Sequence, residues 1–340
     1  MSKLEAARSA QGGVPGDVTV RRALLVLGMH RSGTSAATRV LNLLGVELGS
    51  RLMPPAPDNP SGFWEHLGVV EIHDRLLSDL GRSWDDYRPL PENWLDGTAA
   101  QRAYQQIKQL IESEFSDAPL WGVKDPRLCL FVPLWERALR NLGIEASALI
   151  VLREPAQVVR SLRDRNAIPA ALGEALWYRY TAAAIRGGVH LPHAELRYPR
   201  LVQDWRTEMK RLESALALSF DWSDGSVTRI DTFLHPARPA SEDALRLIHH
   251  DPSGPAWNDS WLDLEQLADH ADVALAQLER ESLACAQAEY LQVERIRSES
   301  GRESTQAQLV EAASRQEQSE GEVRTVRTQL DELQCAYARV

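Results

Sequence analysis

Along the first 230 positions, short unbroken apolar runs alternate with longer stretches in which apolar residues recur at helical spacing. Ala23–Leu27 (ALLVL) and Ala148–Leu152 (ALIVL) are unbroken runs of five, and APLWGVK (118–124) and AELRY (194–198) read as further short strands. Runs of this kind suit strands buried on both faces of a parallel sheet. Between them, Ala36, Ala37, Val40, Leu41 and Leu44 mark a helix from Thr34, closed by Gly45. Leu67, Val70, Leu76, Leu77 and Leu80 mark a second, which starts near FWE (63–65) and stops at Gly81. Residues 98–115 and a pair of helices over 155–187 complete the pattern. Strands alternating with helices predict an α/β fold, three layers about a central parallel sheet. Arg51–Gly62 (RLMPPAPDNPSG) is too rich in proline for regular structure and is expected to be a surface loop or lid.

From Asp263 the texture changes to Ala, Gln, Glu and Arg without proline, the pattern of a long helix. Val323, Val326, Leu330, Leu333, Tyr337 and Val340 are spaced 3, 4, 3, 4, 3, the seam of a coiled coil, and Leu309, Ala312 and Gln316 extend the register upstream. The organisation expected is a flexible leader over 1–20, an α/β domain over 21–262, and a helical, coiled-coil extension over 263–340. The seam stops in mid-heptad. A coiled coil of this kind can form a homodimer or lead into a further domain.

Charge changes the picture only once it is divided along the chain. The net charge is −10, but residues 263–340 carry 16 Asp and Glu against 8 Lys and Arg. The remainder is nearly balanced, so a locally positive pocket is compatible with the acidic total. No basic stripe of the sort that grips nucleic acid is present. Cys129, Cys285 and Cys335 are far apart, which implies neither a disulfide framework nor a zinc site and fits a reducing, cytoplasmic compartment. His190, His193, His249 and His250 lack the carboxylate pattern of a metal site. No stretch reaches the roughly 20 apolar residues of a membrane span, and MSKLEAARSAQGG has no apolar signal core.

The candidate chemistry begins where the first strand meets the first helix. Gly28 ends the strand, and His30, Arg31, Ser32 and Gly33 form a tight loop before Thr34. The N–H groups of Gly33, Thr34 and Ser35 belong to the first helical turn and have no intrahelical acceptor, so they converge on a small volume that favours an anion. The Gly28 to Gly33 spacing fits the nucleotide-triphosphate loop G-x-x-x-x-G-K-[ST], yet Thr34 stands where the lysine would be. The ALIVL strand ends in Arg153, with Pro155 opening the next helix and Ser161 on its surface. Arginine and serine so placed can meet one phosphate. A nucleotide kinase would need an acid there to hold magnesium.

HRSGTS resembles the 5′-phosphosulfate loop of the bacterial sulfotransferases that use 3′-phosphoadenosine 5′-phosphosulfate (PAPS), and LREPAQVVRS resembles their R-x7-S 3′-phosphate motif. WGVKDPRL is similar to a segment common in those enzymes. AELRYPRLVQDW is similar to their V-x-Y-E-x-L-V-x-D-P element, with Tyr198 matching and with Pro199 and Trp205 in place of the glutamate and the final proline. IDTFLHPARPASEDAL is similar to their closing region but lacks its basic run, leaving Arg238 to face the pocket. The resemblance implies a P-loop-like fold and transfer of a sulfuryl group from PAPS to an acceptor hydroxyl, leaving 3′-phosphoadenosine 5′-phosphate (PAP).

In that scheme Arg31, Ser32, Gly33, Thr34 and Ser35 hold the 5′-phosphosulfate, and Arg153 and Ser161 hold the 3′-phosphate. Arg31 also stabilises charge on the departing phosphate, and Glu65 is the carboxylate base, with His66, Glu71 and His73 as alternates. Lys124, Arg127 and Tyr198 are possible donor or acceptor contacts, Lys124 and Arg127 alternatively serving as ion-pair partners of Asp125 or nearby acids. Backbone amides and arginines can stabilise sulfuryl transfer without a metal, so none is expected. The acceptor is expected to be a carbohydrate or glycoconjugate, on whose sugar Trp64, Trp94, Trp121, Trp257 or Trp261 could stack. In related bacterial proteins such a domain is often joined to a glycosyltransferase, and this chain could be the N-terminal part of one. Two alternatives stay open: a P-loop kinase-like phosphotransferase, and a non-catalytic nucleotide-binding scaffold assembled by the coiled coil.

Overall fold

The four segments expected to be strands form one parallel sheet. In the computed structural model, which describes residues 20–56, 59–234, 263–281, 283 and 286–295, these are β1 (Arg22–Leu27), β2 (Leu120–Lys124), β3 (Glu145–Leu152) and β4 (His193–Arg197), in the order β2-β1-β3-β4. The helices are α1 (Thr34–Leu43), α2 (Leu67–Asp79), α3 (Thr98–Glu114), α4 (Leu128–Asn141), α5 (Pro155–Asn166), α6 (Ala170–Gly188), α7 (Tyr198–Gln203), α8 (Trp205–Ala215), α9 (Asp224–Leu234) and α10 (Leu264–Glu281). None of the described helices is long and apolar enough to cross a membrane.

Both faces of the sheet are covered, which is why β1 and β2 beyond their first residues, and the second half of β3, are buried without a break, whereas the edge strand β4 (HAELR) alternates in sequence and in burial. On one face Leu24, Val26, Leu149 and Val151 pack with Val40 and Leu41 of α1, Met209 and Leu212 of α8 and Ile230 of α9. On the other, α4 and α6 lie against the sheet. They sit so close that a Cβ on Gly188 would stand 3.0 Å from Ile150 and 3.2 Å from Leu27. Each fully buried leucine of β1 is worth about 1.5–3 kcal/mol of transfer free energy, so this strand anchors both layers.

Several elements carry no clear signal in the sequence. Helix α4 holds Pro133 in its interior, which removes one helical N–H donor. Burial of Leu128, Phe131, Val132, Leu134 and Trp135 outweighs that loss. Helix α2 starts two residues after Glu65, with His66 as its N-cap accepting from the Gly68 N–H at 3.2 Å. Glu65 therefore lies just before the N-cap.

The chain forms two compact units, Met1–Leu283 and Ala284–Val340. In the first, α10 buries Leu267, Ala268, Ala271 and Leu275 and contacts α6, where Arg186 donates to Asp272 at 3.1 Å. The sequence texture changes at Asp263, one residue before this helix. In the second unit residues 286–295 are helical. Residues 1–19 of the leader, Arg238, His249, His250, Trp257, Trp261 and the heptad positions from Leu309 to Val340 lie outside the described residues.

Register fixes what meets at the carboxyl edge. Val26 pairs with Lys124, Leu27 with Ile150, and Leu152 with Arg197. Strand β1 lies between β2 and β3, so the chain moves first to one side of it and then to the other. Such a reversal opens a crevice at the carboxyl ends of the strands. Here the loop after β1 is flanked by Lys124 and Arg153.

Candidate active site

The loop between β1 and α1 is packed too tightly for side chains at its two glycines. A Cβ on Gly28 would lie 2.6 Å from the Val151 carbonyl oxygen, and the Gly28 N–H points at Cys129 Sγ, 3.1 Å away. Burial pushes the Cys129 thiol up to about 12, so it is an inert acceptor here. Gly33 has φ +91° and its missing Cβ would sit 2.1 Å from Tyr198 Cδ2. The first intrahelical bond runs from the Ala37 N–H to the Gly33 oxygen at 3.0 Å. The amides of Gly33, Thr34 and Ser35 thus stand ahead of the ladder at the positive end of α1.

Arg31 adopts φ +68°, a left-handed conformation that costs a non-glycine residue about 1–2 kcal/mol. This turn brings its Nε within 2.8 Å of Ser161 Oγ on α5. The Arg31 carbonyl in turn accepts from Arg153 NH1 at 3.0 Å. Arg153 is fixed further by Gln157 Oε1 at 2.9 Å and by the Tyr198 ring, 4.9 Å beneath its guanidinium. Trp177 donates to its carbonyl at 3.1 Å. Burial lowers Arg153 from the ordinary guanidinium range, but an arginine remains charged throughout the physiological range. The structure thus brings Arg31, Arg153, Ser161 and Tyr198 together against the cradle.

Opposite them, Lys124 leaves the end of β2 with its ammonium buried. It donates to Ser35 Oγ at 3.0 Å, to the Phe63 carbonyl at 3.1 Å and to Glu65 Oε1. Glu65 Oε2 is buried and has no hydrogen-bond partner among the described residues. Burial raises Glu65 above the usual carboxylate range, against the pull of Lys124 in the other direction. The carboxylate is held by a lysine 59 positions away in the sequence.

Arg127 lines the same region, its guanidinium committed to acids. Its Nε and NH2 reach Asp125 Oδ1 and Oδ2 at 2.9 and 3.0 Å, and NH1 bonds Asp74. Asp125 is fully buried. Burial opposes its ionisation, but Arg127 and His73 outweigh it and hold the carboxyl well below the usual range. His73 Nε2 accepts from Trp135 Nε1 at 2.9 Å, which leaves Nδ1 to carry the proton, 3.4 Å from Asp125 Oδ2. The alternates to Glu65 are accounted for structurally: His73 in this network, His66 as the α2 cap, and Glu71 on the surface, 3.6 Å from Arg51.

A cavity of about 210 Å³ joins these groups, lined by Arg31, Thr34, Ser35, Glu65, Lys124 and Arg127. Its remaining wall includes His30, Phe63, Trp84, Leu162, Arg165 and Asn166. His30 packs on Trp84 with ring centroids 4.6 Å apart, and its Nε2 finds no partner among the described residues. Burial, reinforced by the charge of Arg127, lowers it well below the ordinary imidazole range, so the ring is neutral at pH 7. Neither His30 nor Trp84 carries a signal in the sequence beyond its position, His30 within the loop and Trp84 just after Gly81. Of the tryptophans offered for sugar stacking, Trp121 is core, stacked on Phe115 at 4.3 Å. Trp64 lies under Arg39 at 4.3 Å, and Trp94 packs on Phe131. Among the described residues no group of three or more His, Cys, Asp or Glu is placed to hold a metal ion.

No family model matches the chain, and no curated protein matches it. Among solved structures, the chain is similar to the sulfotransferase domain of the olefin synthase of Synechococcus PCC 7002, at 18% identity over 76% of this chain and 98% of that one, with a TM-score of 0.39. Sulfotransferase STF9 from Mycobacterium avium gives 16% identity over 64% and 69% of the two chains, with a TM-score of 0.41. A sulfotransferase domain from the curacin biosynthetic pathway gives 16% over 67% and 96%, at 0.35. Scores and identities this low carry no residue's role across.

Proposed function

We propose that the chain is a sulfotransferase that moves a sulfuryl group from PAPS to an acceptor hydroxyl on a carbohydrate or glycoconjugate. The observation that supports this reading is the meeting, at the carboxyl edge of the sheet, of the α1 N-terminus, the linked Arg31, Ser161 and Arg153, and the buried Lys124–Glu65 pair. The amides of Gly33, Thr34 and Ser35 receive the 5′-phosphosulfate, and Arg31 and Lys124 supply positive charge on either side of it. Arg153 and Ser161, tied together through Arg31, receive the 3′-phosphate. Ser32 closes the loop through its bond to the Met29 carbonyl at 3.1 Å. Asn59 and Asn166 offer hydrogen bonds to the acceptor, and the rings of Phe63 and Trp84 offer it apolar faces.

In the transfer, the acceptor oxygen bonds to sulfur while the bond from sulfur to the nucleotide's phosphate oxygen breaks, releasing PAP. Glu65 Oε2 takes the hydroxyl proton. It is the free oxygen of the pair, and burial strengthens it as a base. Arg31 and the cradle amides stabilise the charge that gathers on the leaving phosphate. Asp125, the carboxylate nearest the end of β2, is bound through both oxygens to Arg127, which leaves it poorly placed for the magnesium chemistry of a kinase. Glu65→Gln tests the assignment. Turnover with PAPS and a responsive acceptor should fall by about 10²- to 10⁴-fold, the usual share of a general base, with PAP binding no weaker. Unchanged turnover would remove Glu65 from the mechanism.

A further inference from the structure

The loop lacks the lysine that nucleotide-triphosphate loops carry, and a lysine from the neighbouring strand stands in its vicinity with all of its protons in use. An ammonium has three donors, and Lys124 spends them on Ser35 of the cradle helix, the Phe63 carbonyl and Glu65. Two of these acceptors belong to the segment that carries the base. The third is the second residue of α1, beside the amides where the donor anion would lie. Among the described residues, no other ammonium or guanidinium bonds to Glu65, whose second oxygen has no partner.

We infer that Lys124 is shared between donor and base, so that an anion in the cradle competes with Glu65 for the ammonium and frees the carboxylate as it binds. This rests on the sulfotransferase reading above. A single cation divided between two anions holds each more weakly than it holds either alone. The anion that enters beside Ser35 draws the ammonium away from Phe63 and Glu65 together, because those two lie on one segment. With the ammonium withdrawn, burial is left unopposed and the carboxylate becomes a stronger base. The base is thus neutralised in the empty enzyme and released only when the donor is in place.

The competition is read by PAP affinity, measured calorimetrically on the full chain in a double-mutant cycle. Removing the competitor with Glu65→Gln should tighten PAP by roughly three- to tenfold, the range expected for a partly buried charge pair. In a Lys124→Gln background the same change should do nothing, because no ammonium is left for which Glu65 and the nucleotide could compete. In a Lys124→Arg background the tightening should persist, which keeps the test alive if the glutamine variant loses its cooperative thermal transition. PAP affinity unchanged or weakened by Glu65→Gln overturns the sharing. Equal tightening with and without Lys124 also overturns it, since Glu65 would then act by simple repulsion. Wild-type chain that fails to bind PAP would overturn the donor assignment itself, whereas binding with an additive cycle overturns only the coupling.

Discussion

Replacing Gly33 by alanine perturbs the cradle without touching a charged group, and its cost can be worked from two features. At φ +91° an L-residue pays about 1–2 kcal/mol for the left-handed conformation. The new methyl would also stand 2.1 Å from Tyr198 Cδ2, and forcing an extra carbon into a packed site typically costs about 1–3 kcal/mol. The sum, about 2–5 kcal/mol, corresponds to a midpoint lowered by roughly 4–20 °C for a domain of this size. Relief of the clash displaces the Tyr198 ring, and with it the surface on which Arg153 lies at 4.9 Å. The variant should therefore lose PAP affinity as well as stability. Differential scanning calorimetry gives the first quantity and a PAP titration the second. Gly33→Ala combined with Tyr198→Ala should recover the steric part and keep the backbone part. A single variant that melts and binds like wild type would refute the geometry on which the cradle is built.

Three further outcomes follow from the charged groups. Arg153→Met should weaken PAP by about 10- to 150-fold, the value of a hydrogen bond to a charged group, and leave adenosine 5′-phosphosulfate, which lacks the 3′-phosphate, nearly unaffected; equal losses would take Arg153 away from that phosphate. Asp125→Asn should cost about 3–5 kcal/mol at neutral pH by leaving Arg127 buried with Asp74 as its remaining carboxylate, measured from urea midpoints. Because Asp125 is held well below its unfolded value, its contribution is present above a pH of about 3.9 and lost as pH falls further. The wild-type stability curve should drop there and the asparagine variant's should be flatter.

The strands, the cradle and the helix that follows it are legible in the sequence because each is local. An unbroken apolar run, a glycine with no room for a Cβ and a helical repeat all lie within a few residues of one another. The pairing of Lys124 with Glu65 is not local. It depends on β2 lying beside β1 in a register that sets Lys124 level with Val26, and on the Pro-rich segment bringing Phe63 and Glu65 back across the sheet edge. Nothing in FWE or KDPR announces that partner. Helix α4 is hidden by Pro133, a residue whose local cost is offset only once five large side chains are buried around it. Similarly, a sequence shows that Trp84 and Trp121 are tryptophans, but only packing decides that the first faces the cavity and the second stacks on Phe115. Arg127 reads equally well as a ligand contact or an ion-pair partner until its two bonds to Asp125 and one to Asp74 are seen.

If the crevice takes a 3′-phosphorylated adenosine nucleotide, thermal denaturation of the full chain with PAP, set against ADP with magnesium, will show it. At a hundredfold excess over the dissociation constant, binding to the native state adds about 2.7 kcal/mol, or roughly 5–11 °C at 2–4 °C per kcal/mol. That rise is expected with PAP in the presence of a chelator, and little or none with ADP and magnesium. A rise only with ADP and magnesium, or none with either, would contradict the donor assignment.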